Sequence, residues 1–546
     1  MQMLHCKKIL RQAISGVSFW LAGLALVACG GGDLFSLAPG LGSGGTGSVA
    51  GTLTGLGSVI VDGVRYDDSA AALERQSDLV QTQTLSLSDL QVGQYVYLEL
   101  DASGTPTRVR LDSQLVGLVG SVNTSKAQLT VWGQTVGINT DASQGPVTVF
   151  SGYAGLAEVS PTDPVQVYGV LQTDPANSAR ELIRATRIER LVSTDALPAR
   201  VTGALNAKGT GLTLAGVPLD TTKITNLAAK VLLQAGQVVT VVLPWPQDLI
   251  GLPNSLQATS VRVVGTADSS ASTLRLSGVA QLRTDGLVWV QGVVVNLSDP
   301  SLATLRGTVT SGTYVTVTGQ LNPSIGQLVA TAVEMTPAGG RPEELRGSIT
   351  SLIDQRSFMV RGLRVNAGNA VWVGGTAEGL VNGRYVELTG SVTGNVFNAS
   401  KVVLQDGLPE KAVLDITGVV QSADQSNRKA KLLTSDGQTL TVVFSVNDSL
   451  PSVGDTVRVE GLWKDGTLQS RTLSRQSPKD DTATQLEGIV DAVGDGQFTL
   501  NGVQVAVDAS LFGGLQISRG ERVEVLVNRS GNSYTLVGFK AKPPRR

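Results

Sequence analysis

Val453-Gly454-Asp455-Thr456-Val457-Arg458-Val459-Glu460-Gly461 reads as a turn running into a strand, and the chain writes it again and again. Its kernel is Gly-x-x-Val-x-[Leu/Val]. The valine recurs as Val96, Val165, Val239, Val315, Val386, Val457 and Val523. Three residues earlier stand Gly93, Thr162, Gly236, Gly312, Gly383, Gly454 and Gly520; two residues later come Leu98, Val167, Val241, Val317, Leu388, Val459 and Val525. Successive valines lie 66 to 76 residues apart, so a unit of about 70 residues fills most of the 546-residue chain. A fixed period of this kind marks a tandem architecture before any local reading does.

Working outward from the valine, an earlier stretch of each unit reads apolar-x-apolar-x-Gly-x-x-apolar, as in Val59 to Tyr66 and Leu129 to Val136. Period-two alternation marks half-buried strands and the glycine marks the turn between them. Asp62-Gly63, Asp436-Gly437 and Asn501-Gly502 suit the positive φ of tight hairpins. Earlier still lies a glycine-led strand, at Gly120, Gly203, Gly347, Gly418 and Gly488. After the valine strand comes a last strand with a small residue three before an aliphatic one, as in Ala258/Val261 and Ala399/Val402. The stretch between hairpin and valine strand varies most, and fragments such as 69–80 and 222–235 predict one short helix or loop. Thr162 and Pro164 break the pattern of the second unit and predict an edge strand there.

Five short strands close most simply into a small barrel, which removes exposed edges. The expected class is therefore all-β, with seven tandem small five-stranded, OB-like β-barrel modules after a signal peptide and a tether. Their expected bounds are 48–113, 114–193, 197–268, 272–338, 342–407, 412–477 and 483–546. Short linkers between them, about 336–343 for example, predict an extended array on the order of 200 Å long.

The N-terminus carries a different signal. Lys7, Lys8 and Arg11 precede an apolar run from Ala13 to Val27, too short to span a bilayer comfortably. Leu26-Val27-Ala28-Cys29 resembles the lipobox of bacterial lipoproteins. The resemblance implies removal of residues 1–28, lipidation of Cys29 with palmitate among its acyl chains, and, with Gly30 next, the outer membrane, facing the periplasm or the cell surface. Two or more acyl chains give stable attachment. Residues 29–47 are then the lipidated cysteine and a Gly-rich tether. Such a segment behaves as a flexible coil with an r.m.s. span of roughly 25 Å.

Removing residues 1–28 also removes the only histidine, His5, and Cys6. Loss of Lys7, Lys8 and Arg11 takes the net charge from −2 to −5, which offers no electrostatic footprint for nucleic acid. The mature chain lacks the parts of a Ser-His-Asp triad, a histidine-ligated zinc or a free cysteine nucleophile. No catalytic, cofactor-binding or metal site is assigned. Glu99, Glu387, Glu460 and Glu524 lie on valine strands and are the carboxylates available to a glycosidase-like pair; Glu387 and Glu524, one residue past the valine, are expected to face solvent. Asp67-Asp68 and Asp480-Asp481 lack the alternate oxygen spacing of calcium loops and read as turn residues. Trp132, Trp245, Trp289, Trp372 and Trp463 fall at different columns, which predicts core or rim fillers rather than a repeated stacking platform. The tail KAKPPRR, 540–546, reads as a solvated end.

Lipobox, CGGG and tandem VG-x-x-V-x-V-x-G strands together resemble bacterial lipoproteins carrying the domain of unknown function 5666, over most of residues 48–546. That family lends no activity or catalytic residue. The expected function is a non-catalytic, lipid-anchored scaffold that binds or spaces, with membrane, envelope polysaccharide or other envelope proteins as partners and no cofactor. One alternative is an oligosaccharide- or peptide-binding protein with a single specialised module; another is a carboxylate hydrolase.

Overall fold

The computed structural model describes residues 47–541, apart from 77–81, 175–176, 192–196, 210, 225–232, 246–253, 264–272, 323–325, 338–339, 406, 435–437, 447, 477–482, 501–502, 508–516 and 531–532. Within these residues the chain is all-β, with several small five-stranded barrels. In segment 413–476 the strands are Val413–Asp424, Lys429–Thr434, Thr439–Val443, Thr456–Lys464 and Thr467–Gln476. The first pairs with both the second and the fourth, the fourth with the fifth, and the fifth returns parallel to the third, closing the barrel. Segment 483–541 closes in the same order, and segment 343–404 repeats its pairings.

One contact explains why glycine and valine recur. Each valine of the repeated column lies opposite a glycine on the first strand of its segment. The pairs are Gly51–Val96, Gly117–Val165, Gly203–Val239, Gly278–Val315, Gly347–Val386, Gly418–Val457 and Gly488–Val523. In the second segment the pairing glycine is Gly117, not the Gly120 that the sequence pattern suggests. The seven valines are fully buried, at 0–1 % exposure. At several of the glycines the place of a Cβ is already taken by the hairpin turn. A Cβ on Gly278 would come within 2.7 Å of Gln291, and one on Gly347 within 3.1 Å of Arg361. Added bulk here forces the hairpin off the first strand.

The hairpin turns are two-residue loops with positive φ at both centres: 47° and 78° at Asp62-Gly63, 54° and 81° at Trp132-Gly133, 50° and 84° at Gln291-Gly292. That geometry matches strand twist and favours glycine second. The glycine three before the valine has its own reason. Gly236, Gly312 and Gly454 have φ of 87°, 94° and 90° with open space where a Cβ would go, so conformation rather than room selects glycine. Thr162 holds the same place with φ 71°, a strained value for a β-branched residue. The strand Pro164–Asp174 that follows is not an edge: it pairs with Leu115–Asn123 on one side and Asn177–Arg190 on the other. Pro164 is its first residue, where a missing N–H is tolerated.

The variable connection contains a strand in three segments and a short helix in another. Ala72–Gln76, Val149–Ser151 and Val371–Val373 each pair parallel with the last strand of their segment, while segment 273–335 has a short helix, Ala303–Arg306.

The segments do not follow one another in an extended line. In the opening strand, Gly47–Ala50 pairs parallel with Thr273–Leu276, and Gly55-Leu56 pairs parallel with Glu344-Leu345. Arg200-Val201 pairs with Leu115-Val116. One hydrophobic core runs through segments 47–111, 273–335 and 343–404, and a second through 115–190 and 199–263. The expected extended array is thus corrected: described barrels pack on one another, with first-strand edges and outer faces buried against neighbours. Thr162→Gly should relieve the left-handed threonine and raise stability by about 1 kcal/mol, read as an upward shift of the thermal midpoint; an unchanged or lower midpoint contradicts that account of the column.

Candidate functional site

The residue before the hairpin glycine is where otherwise similar segments differ: Asp62, Trp132, Ala215, Gln291 and Arg361. Several of these side chains or backbones reach into another segment. Gln291 Oε1 accepts the N–H of Leu171. Arg361 Nη2 donates to the Leu87 carbonyl at 2.7 Å, and Gln91 Nε2 donates to the Arg361 carbonyl at 3.3 Å. At Gln291 and Arg361 a shared turn thus presents an unshared group to another segment.

Asp62 makes the most developed of these sites. It is buried at 2 % exposure where segments 47–111 and 273–335 meet. Its carboxylate accepts the Thr52 N–H at 3.0 Å and the Tyr314 hydroxyl at 2.8 Å. Tyr314 stands immediately before the valine column, and Tyr95 at the matching place in its own segment donates to the Ser277 carbonyl at 3.0 Å. Arg341 donates to the Asp62 carbonyl at 2.8 Å and, through Nη2, to Glu334 at 3.1 Å; Arg275 holds Glu334 from the other side at 2.8 Å. Burial pushes the Asp62 carboxyl up, against the hydrogen bonds from Ser277, Tyr314 and Thr52 and the charge of Arg341. Burial, reinforced by the Asp62 charge, raises the Tyr314 phenol well above its ordinary value, so it stays a donor.

A second buried centre joins segment 47–111 to segment 199–263. Asp112 receives Arg200 at 2.6 Å, both 3 % exposed, and also pairs with Arg262. Burial opposes ionisation of Asp112, but Arg262, Arg200 and Arg110 outweigh it and hold the carboxyl below its usual range. Beside it lies a cleft of about 20 Å³ lined by Tyr97, Gln114, Thr202, Arg262 and Gln291. That volume admits about one water. Elsewhere Thr186 donates to the Gly93 carbonyl at 2.6 Å, Arg187 to that of Val92 at 3.1 Å, and Arg519 meets Glu158 at 3.2 Å.

The carboxylates singled out in the sequence are dispersed among such contacts. Glu99 pairs with Arg108 at 3.0 Å on the surface. Glu387 accepts Gln405 at 2.8 Å and lies 3.4 Å from Arg346. Glu524, expected in solvent, is instead buried at 5 % exposure and pairs with Arg458 across the seam between the last two barrels at 2.9 Å. The outer face of one barrel is the inner face of that seam, which alternation alone does not reveal. Glu460 is also buried. Asp67 pairs with Lys411 and accepts the Ser69 N–H; Asp68 is buried, with Arg471 donating to its carbonyl at 3.4 Å. Both are turn residues drawn into a junction. Among the described residues, no group of three or more His, Cys, Asp or Glu is placed to hold a metal ion.

The tryptophans fill cores and rims, as their scattered columns predict. Trp132 donates to the Val116 carbonyl at 2.8 Å and Trp245 to that of Leu197 at 2.6 Å. Trp289 packs on the core of the second and third segments, Trp372 and Trp463 on their own. Cys29, the tether before Gly47, Asp480-Asp481 and all of the basic tail beyond Ala541 lie outside the described residues. No helix among the described residues is long and apolar enough to cross a membrane.

Residues 346–403 and 487–536 match the family model of a domain of unknown function, DUF5666. Both matches fall on five-stranded units of the kind described above. They run from just before the barrel glycine into the last strand. No curated protein matches the chain.

Sequence reasoning took Asp62 for a hairpin residue and passed over Tyr314, Arg341 and Asp112. The available signal was the variable position in front of an otherwise constant glycine. Asp62→Ala should cost about 2–3 kcal/mol in chemical denaturation, since it strands the Thr52 and Tyr314 donors. Asp62→Asn should cost less, because asparagine tolerates the positive φ and keeps an acceptor. Burial also raises Glu181 and Glu343, each to about 7 from 4.5. Between those values the folded state holds more protons than the unfolded one, so stability falls as pH rises from 4.5 towards 7. Unfolding measured across that range should show this slope, and it should flatten in the Glu181→Gln/Glu343→Gln variant.

Proposed function

We propose that the chain is a lipid-anchored envelope scaffold of seven tandem OB-like modules, held at the outer membrane through Cys29 and acting by binding rather than catalysis. The observation that carries this reading is where the polar side chains go. Among the described residues, Asp62 with Tyr314, Asp112 with Arg200 and Glu524 with Arg458 tie segments to one another. Side chains used in this way build a rigid body with a broad outer surface. A tether of about 18 residues between Cys29 and Gly47 reaches up to roughly 60 Å when extended. It leads straight into the strand that pairs with two distant segments, so anchoring and assembly meet at one end of the chain. Envelope polysaccharide and other envelope proteins are the partners such a surface suits, through many weak contacts whose avidity is large.

The reading as a single specialised oligosaccharide module is weaker, because the tryptophans that would stack a sugar are packed into cores or hydrogen-bonded to backbone. In cells, the wild-type chain should fractionate with the outer membrane and incorporate labelled palmitate. The Cys29→Ala variant should lose the label and partition away from membranes. Retention of that variant in the membrane fraction overturns the anchor. Photo-crosslinking from several modules should capture envelope components at more than one of them; capture confined to a single module favours the specialised-site alternative.

A further inference from the structure

Segments 47–111 and 115–190 are joined by three polar residues, Asp112-Ser113-Gln114, and all three are buried, at 3 %, 5 % and 7 % exposure. Connections ordinarily run over the surface, because a buried one must find partners for its polar groups. Here the acceptors have found theirs. The two Asp112 carboxylate oxygens accept from Arg200 and Arg262, and Gln114 Oε1 accepts the Gly169 N–H at 2.8 Å. Several donors have found none. Among the described residues the Ser113 hydroxyl and the Gln114 side-chain N–H groups meet no acceptor. Both residues line the cleft beside Asp112, as does Tyr97, whose hydroxyl also meets none. Thr202 and Thr240, in the same lining, have hydroxyls 2.8 Å apart, so one donates to the other and one hydroxyl hydrogen is left over.

Charge at the cleft leans the same way. Arg200 and Arg262 share the single carboxylate of Asp112, which leaves one positive charge in excess. Arg110 adds another: it stacks over the Tyr97 ring at 5.1 Å and forms no ion pair among the described residues. Burial raises the Tyr97 phenol above its ordinary value, so it keeps its proton as a donor. Positive charge taken out of water is costly unless an opposite charge comes with it. A water molecule in the cleft would accept from two of the spare donors and leave the charge as it was. An anion answers both.

We propose that this cleft binds one monoatomic anion, of which chloride is the common example, through the Ser113 hydroxyl, the Gln114 amide N–H, the Tyr97 hydroxyl and the Arg262 guanidinium. A volume of about 20 Å³ takes one ion little wider than water and is too small for phosphate or sulfate. The lining draws Tyr97, Leu171, Thr202 and Gln291 from four successive segments. The ion therefore binds only where those four have come together, and binding favours the packed arrangement.

Two measurements on the full-length chain test this. Crystals grown in sodium bromide should show an anomalous scattering peak inside the cleft. In solution, the wild type should broaden the chloride NMR line, and added bromide should reverse the broadening. Ser113→Ala removes one hydrogen bond to the ion and should weaken chloride binding by about tenfold. Gln114→Glu keeps an acceptor for the Gly169 N–H but sets a carboxylate where the ion sits. It should abolish the broadening and leave the thermal midpoint at or above that of the wild type. A water without an anomalous peak in the cleft overturns the proposal whatever the variants do. Broadening unchanged in both variants overturns it as well, since that result means an adventitious ion only.

Discussion

The structure depends on a steric exchange that recurs at Gly51, Gly117, Gly278 and Gly347. The first strand of a small barrel passes beneath the hairpin that follows it, and glycine there leaves room for the turn to lie down. Valine on the fourth strand seals the same point from the adjacent position in the ladder. Gly278 against Val315, with Gln291 folded over the glycine, shows the arrangement. A side chain on the glycine would collide with the turn, and loss of the valine would open a void in a closed core of few residues. Small barrels have little interior to spare, so these columns are held while most others drift.

In the five segments whose turn is described, the position before the turn glycine holds a variable residue: Asp62, Trp132, Ala215, Gln291 and Arg361. The turn residue has positive φ and sits over the first strand, the strand that neighbouring segments use for pairing. Asp62 there captures Tyr314, Gln291 captures the Leu171 backbone, and Arg361 reaches the Leu87 carbonyl. Buried polar contacts of this kind contribute little net stability when satisfied but cost much when mismatched. They therefore specify which barrel meets which, while the shared apolar core supplies the attraction. The charged pairs Asp112–Arg200 and Glu524–Arg458 extend the same logic to other faces.

Much of the barrel was legible because its signals are local. Asp62-Gly63 announced a hairpin, and alternation located the strands on either side. Thr162 was legible as a departure but not its consequence: the strand it precedes is paired on both sides, and Pro164 is tolerated only because it comes first. Glu524 misled for a definite reason. Outward-facing strand positions read as solvent-facing whenever the partner surface is itself polar, and Arg458 makes it so. The same camouflage hid the junctions at Thr52, Ser277 and Arg200, whose residue types suit water as well as a hydrogen-bonded interface.

Sequence alone determined the period, the all-β class and the tight turns, because each follows from backbone conformation within a few residues; which glycine lies under the hairpin, Gly117 and not Gly120, took the structure. The sequence also shows no histidine and no further cysteine after Cys29. Tertiary structure decided which segments touch. The opening strand pairs with partners more than 200 residues away, and nothing in a repeating pattern of equivalent edges distinguishes one neighbour from another. That choice rests on shape and on single polar groups meeting across a seam, and both exist only once the barrels have closed.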